Sequence, residues 1–278
     1  MKAESLTATA SNRLIDALPR SERTRLLASC ETVNLNFAQV LCEPGETLGH
    51  LYFPTTGFLS LITPVAGHNG LEVAMVGNES AAGLNLVLGQ GRSPLRLLVQ
   101  GAGSSLRIAA PALRQELVRS AALRGLLERS IASLLMRTAR MAACTRFHLV
   151  DERLARWLLT SQDCAHSAQL HVTHEFLAYM LGVRRAGITK AATALQERQL
   201  IRYHRGAVTI LDRGGLETLA CGCYRDDRRD LLAVFGENGS GGADYAASAT
   251  SAVAPSAARY AAKKRSISAE ASGPFGSV

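Results

Sequence analysis

Hydrophobic positions between residues 172 and 211 follow a helical period twice and then alternate. The first apolar stripe recurs at i, i+1, i+4 and i+5, as expected for one face of a short helix, and consists of Phe176, Leu177, Met180 and Leu181. Thr173 is the predicted N-cap, and Glu175 in the first turn suits the positive end of the helix dipole. Gly182 is the predicted end of this helix, since glycine adopts left-handed backbone angles without steric cost.

A second helix is predicted from Arg184 to Arg198, with a buried face formed by Ile188, Ala192 and Leu195. Its opposite face carries small and charged residues, namely Ala186, Lys190, Thr193 and Glu197 beside Thr189, with Arg184 and Arg185 at the helix start. Such a face suits the DNA major groove. The following alternation up to Leu211, with Arg205-Gly206 as the tip, predicts a hairpin and therefore a winged helix-turn-helix. The alternative is a small helical subdomain whose cations keep its surface solvated.

The N-terminal half of the chain has a different pattern. Two short helices separated by Pro19 are predicted between residues 12 and 29, and short segments divided by turn residues follow from 33 to 108. Among them, 51–53 and 58–62 flank Pro54, and 95–99 precedes 106–108. Many short strands at this spacing predict an all-β roll, with a short helix near 80–88 inside it.

The helical period returns at Pro111 and persists to Phe147. Apolar positions step by four and three along this segment, and the predicted dimerisation stripe is Leu123, Leu127, Ile131, Leu134, Thr138 and Met141. A long stripe of this kind is typical of a helix that pairs with a second copy. The alternative is that the stripe packs against the chain's own β-roll.

The expected fold class is therefore α+β, with four parts in sequence. Residues 12–110 form the all-β roll or barrel, 111–147 a long dimerisation helix, and 148–225 the winged helix-turn-helix. Within the last part, 150–159 and 215–224 are predicted helices and 161–169 a loop. Residues 236–278 are rich in Ala, Ser and Gly, with few large apolar side chains, and are predicted to be disordered.

Composition narrows the function classes. The chain has 278 residues, 47% of them hydrophobic, and a formal net charge of +8 that favours a polyanionic partner. No apolar run is long enough to span a bilayer and no secretory signal is evident, so we expect a cytoplasmic protein without membrane contact. Six scattered cysteines predict reduced thiols, not a disulfide framework. We find no nucleophile–base motif, phosphate-binding loop or paired carboxylates, and we expect no enzyme activity.

Two sequence motifs carry a resemblance to a known family. They are Thr-His-Glu-Phe-Leu-Ala-Tyr-Met-Leu-Gly-Val-Arg-Arg at 173–185 and Leu-Gln-Glu-Arg-Gln-Leu-Ile at 195–201, followed by a wing from Arg205 to Arg213. Over about residues 12–225 the chain resembles the superfamily of the cAMP receptor protein and FNR. The resemblance implies a homodimer that binds a near-palindromic operator in double-stranded DNA, with RNA polymerase as a further candidate partner.

By position, the resemblance places Arg185, Ala186 and Lys190 at the bases. The family's best-known member has Arg, Glu and Arg there, and Ala186 cannot accept a hydrogen bond from a cytosine amino group, so we expect a different preferred sequence. Arg184, Thr189 and Arg205 are the candidates for phosphate contacts.

The resemblance implies that residues 12–110 form a cyclic-nucleotide-binding-like β-roll that serves as the sensor domain. Its effector pocket would include Gly83, Leu84, Arg92 and Ser93. Leu84 stands where cAMP-binding relatives have the glutamate that holds the ribose hydroxyl, so we do not expect ordinary cAMP binding. Clustered cysteines of the kind that hold the iron–sulfur centre of FNR-like members are also missing from the N-terminal residues. The chain therefore resembles a branch of the superfamily without either sensor, and we expect no cofactor.

Two further groups of residues have metal-ligating or redox chemistry. Cys164, His166, His171 and His174 suit zinc or copper, but their spacing matches no familiar finger, and we expect no metal. Cys221 and Cys223 are two residues apart, which is poor spacing for an unstrained disulfide, and we expect inert thiols.

The leading function is a sequence-specific transcriptional regulator. The alternative is an effector-binding sensor module, for a cyclic dinucleotide or another small ligand, in which DNA binding is secondary.

Overall fold

The computed structural model describes residues 11–66 and 68–236.

The N-terminal helices are fixed to the sheet through one asparagine. Asn12 caps α1 (Arg13–Asp16) by accepting from the Leu14 amide, and its amide nitrogen donates to the Pro54 and Ser80 carbonyls. After Pro19, α2 covers Arg20–Ala28. The predicted pair of short helices is confirmed.

An antiparallel sheet follows, with β5 and β3 at its centre. The strands are β1 (Cys30–Leu35), β2 (Val40–Cys42), β3 (His50–Val65), β4 (His68–Val76) and β5 (Arg96–Ala109). The order is β1-β5-β3-β4, and β2 pairs with the other end of β5. A core of Leu, Ile, Val and Phe side chains lies inside this roll. The predicted β-rich N-terminal domain is confirmed.

Two strands are longer than the sequence indicates. β3 runs through Pro54, where proline lacks the ladder N–H and the register shifts, so the predicted break at Pro54 is wrong. β5 is also continuous through its glycine-rich middle. A Cβ on Gly101 would lie 2.4 Å from Phe58 Cδ1, and one on Gly103 would lie 2.3 Å from the Thr56 carbonyl oxygen. These glycines therefore allow close approach of β3 and are not turn signals.

A serine N-cap divides the long helical segment that follows the roll. The predicted helix near 80–88 is reduced to a single 3-10 turn, Leu84–Leu86, and the long helical segment divides into α3 (Ala110–Arg119) and α4 (Ala121–Phe147). Ser120 separates them and accepts a hydrogen bond from the Leu123 amide at 2.9 Å. The break follows from this N-cap.

The C-terminal part begins with α5 (Val150–Ala165) and ends with two helices that pack on it. Ser161 and Cys164 are buried and helical, so the first half of the segment predicted as a loop at 161–169 belongs to α5, which ends at Ala165. The predicted helix at 215–224 is also wrong in its bounds. α8 (Arg213–Leu219) is capped by Asp212, and a separate α9 (Cys223–Ala233) follows.

Ionic contacts connect α9 to α4 and α5. Arg140 of α4 donates to Asp227 at 2.5 Å and to Asp230 at 2.6 Å, and Arg156 of α5 donates to Asp227 at 2.6 Å. The Arg140, Arg156 and Asp227 side chains are 15%, 9% and 13% exposed. We call these three residues the Arg–Asp cluster. Its low exposure makes each charge dependent on its partners.

The roll and α5 also share a buried polar contact. Trp157 Nε1 donates to Glu72 Oε1 at 2.9 Å, and Phe58, Ile62 and Met75 of the sheet pack with apolar residues of α5. Burial raises the pKa of Glu72 to about 7, although hydrogen bonds from Ser60 and Trp157 oppose the increase. Glu72 therefore titrates near neutral pH at the contact between the roll and α5.

The described residues up to Phe235 group as one compact unit. The predicted disordered tail at 236–278 lies outside the described residues, apart from Gly236. Among the helices of the described residues, none has both the length and the apolarity to cross a membrane.

Candidate nucleic-acid interface

Local capping defines the helix-turn-helix. The Thr173 hydroxyl accepts from the Phe176 amide at 3.1 Å and starts α6 (His174–Leu181). Gly182 ends α6 in the left-handed conformation with φ of 61°, and the Val183 amide donates to the Ala178 carbonyl. This closes the helix in the manner of a left-handed cap. The predicted N-cap and glycine turn are confirmed.

The second helix, α7 (Arg185–Glu197), divides into a buried and an exposed face. Ile188, Ala191, Ala192 and Leu195 are buried, and the exposed residues are Arg185, Ala186, Thr189, Lys190, Thr193 and Glu197. Arg184 is the N-cap residue and is also exposed, but its side chain makes no capping hydrogen bond. The start of α7 therefore presents two guanidinium groups and the positive end of the helix dipole to solvent.

His174 and Tyr203 position the start of α7, a role that was not predicted for either residue. The two rings stack with centroids 4.3 Å apart, and His174 Nδ1 lies 3.1 Å from Thr189 Oγ1. Tyr203 in turn donates from its hydroxyl to the Val172 carbonyl at 2.9 Å. Burial, and then the charge of Arg185, lower the pKa of His174, so the ring is neutral at pH 7. Nothing in the sequence spacing joins residues 174, 189 and 203.

The wing is a three-stranded sheet with a basic tip. β7 (Ile201–His204) pairs with β8 (Ala207–Ile210), and Arg205 and Gly206 adopt φ of 46° and 80° at the turn, as a type I′ hairpin requires. β6 (Gln169–His171), which was not predicted from the sequence, pairs with the other edge of β8. The predicted hairpin and its tip are confirmed.

The wing tip and the helix-turn-helix enclose an open cavity of about 350 Å³. It is lined by Thr173, His174, Glu175, Arg185, Tyr203 and Arg205. The structure thus brings two of the predicted DNA-binding residues, Arg185 and Arg205, to one surface. Ala186, Thr189 and Lys190 lie on the exposed face of α7 that begins there, and Arg184 immediately precedes it.

The predicted effector-pocket residues lie within the roll, where Arg92 and Ser93 donate to backbone carbonyls of other residues. Gly83 caps the 3-10 turn with φ of 93°, and Leu84 is buried. The Ser93 hydroxyl is buried and donates to the Leu95 carbonyl, while Arg92 donates to the Gly45 carbonyl at 2.6 Å. A larger cavity of about 580 Å³ lies elsewhere, between β4, α4 and α5.

The predicted dimerisation stripe faces the chain's own roll for part of its length, which requires a correction. Leu123 and Leu127 are 1% and 0% exposed in the core of the roll, and Ile131 and Leu134 pack against that core. Thr138 and Met141 are half-buried. Five exposed apolar residues of α4 lie on the side of the helix that is roughly opposite this stripe, namely Ala132, Leu135, Met136, Ala139 and Ala143. Periodicity identified a buried face but not the surface that covers it.

The metal-ligating residues singled out in the sequence do not converge. Among residues 11–66 and 68–236, the group of side chains close enough to share a metal ion consists of Cys144, His148, Cys221 and Cys223. Cys164, His166, His171 and His174 are outside this group. Cys221 and Cys223, expected to be inert, are therefore near two further ligand-type side chains.

Comparison with known proteins agrees with this geometry. Residues 152–219 match the model of the Crp-like helix-turn-helix domain. No curated protein matches the chain.

Several solved structures share this fold at low sequence identity. FixK2 from Bradyrhizobium japonicum is 13% identical, with 69% of this chain and 98% of that chain covered and a TM-score of 0.59. The c-di-GMP responsive global regulator CLP from Xanthomonas campestris is 20% identical, with 69% and 99% covered and a TM-score of 0.56. TTHA1359, a CRP/FNR-family transcriptional regulator from Thermus thermophilus, is 22% identical, with 68% and 98% covered and a TM-score of 0.55.

Proposed function

We propose that this chain, which carries a Crp-like helix-turn-helix domain within the fold of Crp/Fnr-family regulators, is a transcriptional regulator that binds double-stranded DNA. One observation carries the proposal. The start of α7 exposes Arg185, Thr189 and Lys190 on one side, next to the wing residue Arg205. Cationic side chains, a free helix N-terminus and a basic hairpin on one surface suit a polyanionic duplex. We infer a regulator and not an enzyme.

Within this surface we assign base contacts to Arg185 and Lys190 and phosphate contacts to Arg184, Thr189 and Arg205. Arg185 can offer two parallel N–H donors to a guanine, whereas Ala186 offers only a methyl group. The Thr189 hydroxyl is fixed between His174 and the Arg185 carbonyl, which accepts from it at 3.2 Å. The wing arginine lies on a tight turn that limits its backbone freedom.

We further propose that the chain acts as a homodimer on a palindromic operator. The exposed stripe of α4, formed by Ala132, Leu135, Met136, Ala139 and Ala143, supports this, since its spacing of three and four residues is that of a helix–helix contact. Leu135 and Met136 are 67% and 53% exposed in the single chain. A second copy that covers this stripe would bury them and present two α7 helices to one DNA face.

Changing Arg185 to Ala is expected to weaken binding to the preferred DNA duplex about 10- to 100-fold and to relax base preference, because a bidentate base contact contributes about 1–3 kcal/mol. Fluorescence anisotropy at fixed salt, with the preferred duplex and a randomised duplex, measures both effects. Arg225→Ala is the matched control, since it removes the same charge from an exposed position on α9. Unchanged affinity of Arg185→Ala for the preferred duplex would contradict the assignment.

A second candidate function is effector sensing, and the cavity of about 580 Å³ favours it. Arg137 and Arg153 line this cavity together with Glu72 and Trp157, and both arginines are 5% exposed. Their Nε atoms are buried without a hydrogen-bond partner among the described residues. Buried, unpartnered guanidinium N–H groups suit an anionic ligand. Mass spectrometry of small molecules released from the purified protein tests it: a stoichiometric anion supports sensing, and an empty protein that binds DNA tightly argues against it.

A further inference from the structure

Four ligand-type side chains converge where the long helix meets α9. Cys144 lies in the last turn of α4, and His148 is the C-cap residue, with its amide bonded to the Cys144 carbonyl. Cys221 and Cys223 flank Gly222, immediately before and at the start of α9. One pair is a C-x3-H spacing at a helix end, and the other is a C-x-C spacing 73 residues further along the chain. We call these four residues the cysteine–histidine cluster.

The separations in this cluster fit a single metal ion. Cys144 Sγ lies 3.6 Å from Cys221 Sγ, and Cys223 Sγ lies 3.6 Å from His148 Nδ1. All four ligand atoms lie within 4.8 Å of one another. Tetrahedral zinc, with Zn–S of about 2.3 Å and Zn–N of about 2.0 Å, places neighbouring ligand atoms about 3.5–3.8 Å apart. A disulfide needs about 2.0 Å between sulfurs, and the six cysteines are unpaired.

The burial of the three thiols and the charges of the neighbouring arginines also favour a bound metal ion. Cys144, Cys221 and Cys223 are 1%, 7% and 7% exposed and form a separate cluster in the interior. Three thiolates and one neutral imidazole around a divalent ion leave one negative charge, which is costly when buried. The guanidinium groups of Arg153 and Arg156 interact electrostatically with these thiols and offset that charge.

We propose that Cys144, His148, Cys221 and Cys223 form a structural zinc site. Three sulfur ligands and one nitrogen complete a tetrahedral set, so no position stays open for a substrate. Binding of Zn²⁺ displaces the three thiol protons to solvent. The ion would join the end of α4 to the start of α9, and so fix the long helix to the C-terminal domain. The site is independent of the DNA contacts proposed above, since it shares no residue with them.

Cobalt binding tests the site directly in the full-length chain. Protein purified with a reductant, and then stripped of metal, is titrated with Co²⁺ under anaerobic conditions. We expect one Co²⁺ per chain, with sulfur-to-cobalt charge-transfer absorption and tetrahedral d–d bands, and its displacement by Zn²⁺. Cys144→Ser and Cys221→Ser are expected to bind Co²⁺ at least about 100-fold more weakly, because loss of a ligand exceeds the effect of an outer-shell change. Cys164→Ser, which removes a buried thiol outside the cluster, should bind as the parent does.

A second measurement needs no variant and so does not depend on how the variants fold. Zinc-loaded protein is alkylated with and without a chelator, and the modified cysteines are identified by peptide mass spectrometry. We expect Cys144, Cys221 and Cys223 to react only after the chelator is added, with no chelator effect at Cys30. Absence of tetrahedral cobalt bands in the parent, or alkylation of the three thiols that ignores the chelator, would overturn the proposal. A Cys144–Cys221 disulfide in protein handled with reductant would overturn it as well.

Discussion

Changing Asp227 to Ala is expected to lower the free energy of unfolding by about 3–5 kcal/mol, since it leaves buried guanidinium groups without their carboxylate. Asp227 accepts hydrogen bonds from both Arg140 and Arg156. Among the described residues, Asp227 is the carboxylate that pairs with Arg156. Asp230 still pairs with Arg140 in the variant, so the larger part of the loss falls on Arg156. Urea denaturation at pH 7, followed by far-ultraviolet circular dichroism, measures this loss.

Asp226→Ala provides the matched control for the Arg–Asp cluster. Asp226 is one residue away on the same helix, but it is 44% exposed and lies 3.9 Å from Arg140. An exposed pair of this kind contributes about 0–1 kcal/mol, so the control should stay close to the parent protein. Equal losses for the two variants would mean that burial of the cluster does not determine its contribution.

The second large effect is a pH dependence of stability that originates at Glu72. Its pKa is about 7 in the folded chain because of burial, against 4.5 as the ordinary value. The folded state therefore binds this proton more tightly than the unfolded chain does. The resulting stabilisation is complete below about pH 4.5, decreases as the pH rises, and is lost above about pH 7, a total of about 3 kcal/mol. The free energy of unfolding of Glu72→Gln, measured relative to that of the parent, should accordingly increase by about 3 kcal/mol between pH 4.5 and pH 8.

Trp157 offers a direct readout of this titration. It is the one tryptophan in the chain, and its indole nitrogen donates to the Glu72 carboxyl group. We expect the tryptophan fluorescence of the folded protein to change with a midpoint near pH 7, and to lose this transition in Glu72→Gln. Glu128→Gln, an exposed change on α4, should keep it. A parent protein without a transition between pH 6 and pH 8 would show that Glu72 is not the titrating group.

The helix-turn-helix could be predicted because its signals are local. Thr173, Gly182 and the Arg205-Gly206 turn each determine the backbone within a few residues, and the apolar period of α7 identifies its buried side. Solvent exposure of Arg185 and Lys190 followed from the same period. These features needed no knowledge of the rest of the fold.

Elements that depend on distant partners were missed or misplaced. Residues 225–230 of α9 are all charged, and Asp227 and Asp230 attach this helix to Arg140 on another helix. Leu123 and Leu127 repeat regularly, but the repeat does not distinguish a second copy from the chain's own roll. Cys144 and Cys221 come together only because α9 packs on α4. The sequence contains the residues of each contact but not the topology that joins them.

Selection of DNA from a random duplex pool tests the central claim of DNA recognition most directly. The full-length chain is used at fixed salt without added nucleotide, alongside Arg185→Ala and the Arg225→Ala control. We predict a two-fold symmetric motif with half-sites about one helical turn apart, recovered with the parent and with Arg225→Ala and degraded with Arg185→Ala. Binding that enriches no motif, or a motif that is unchanged by Arg185→Ala, would contradict the account.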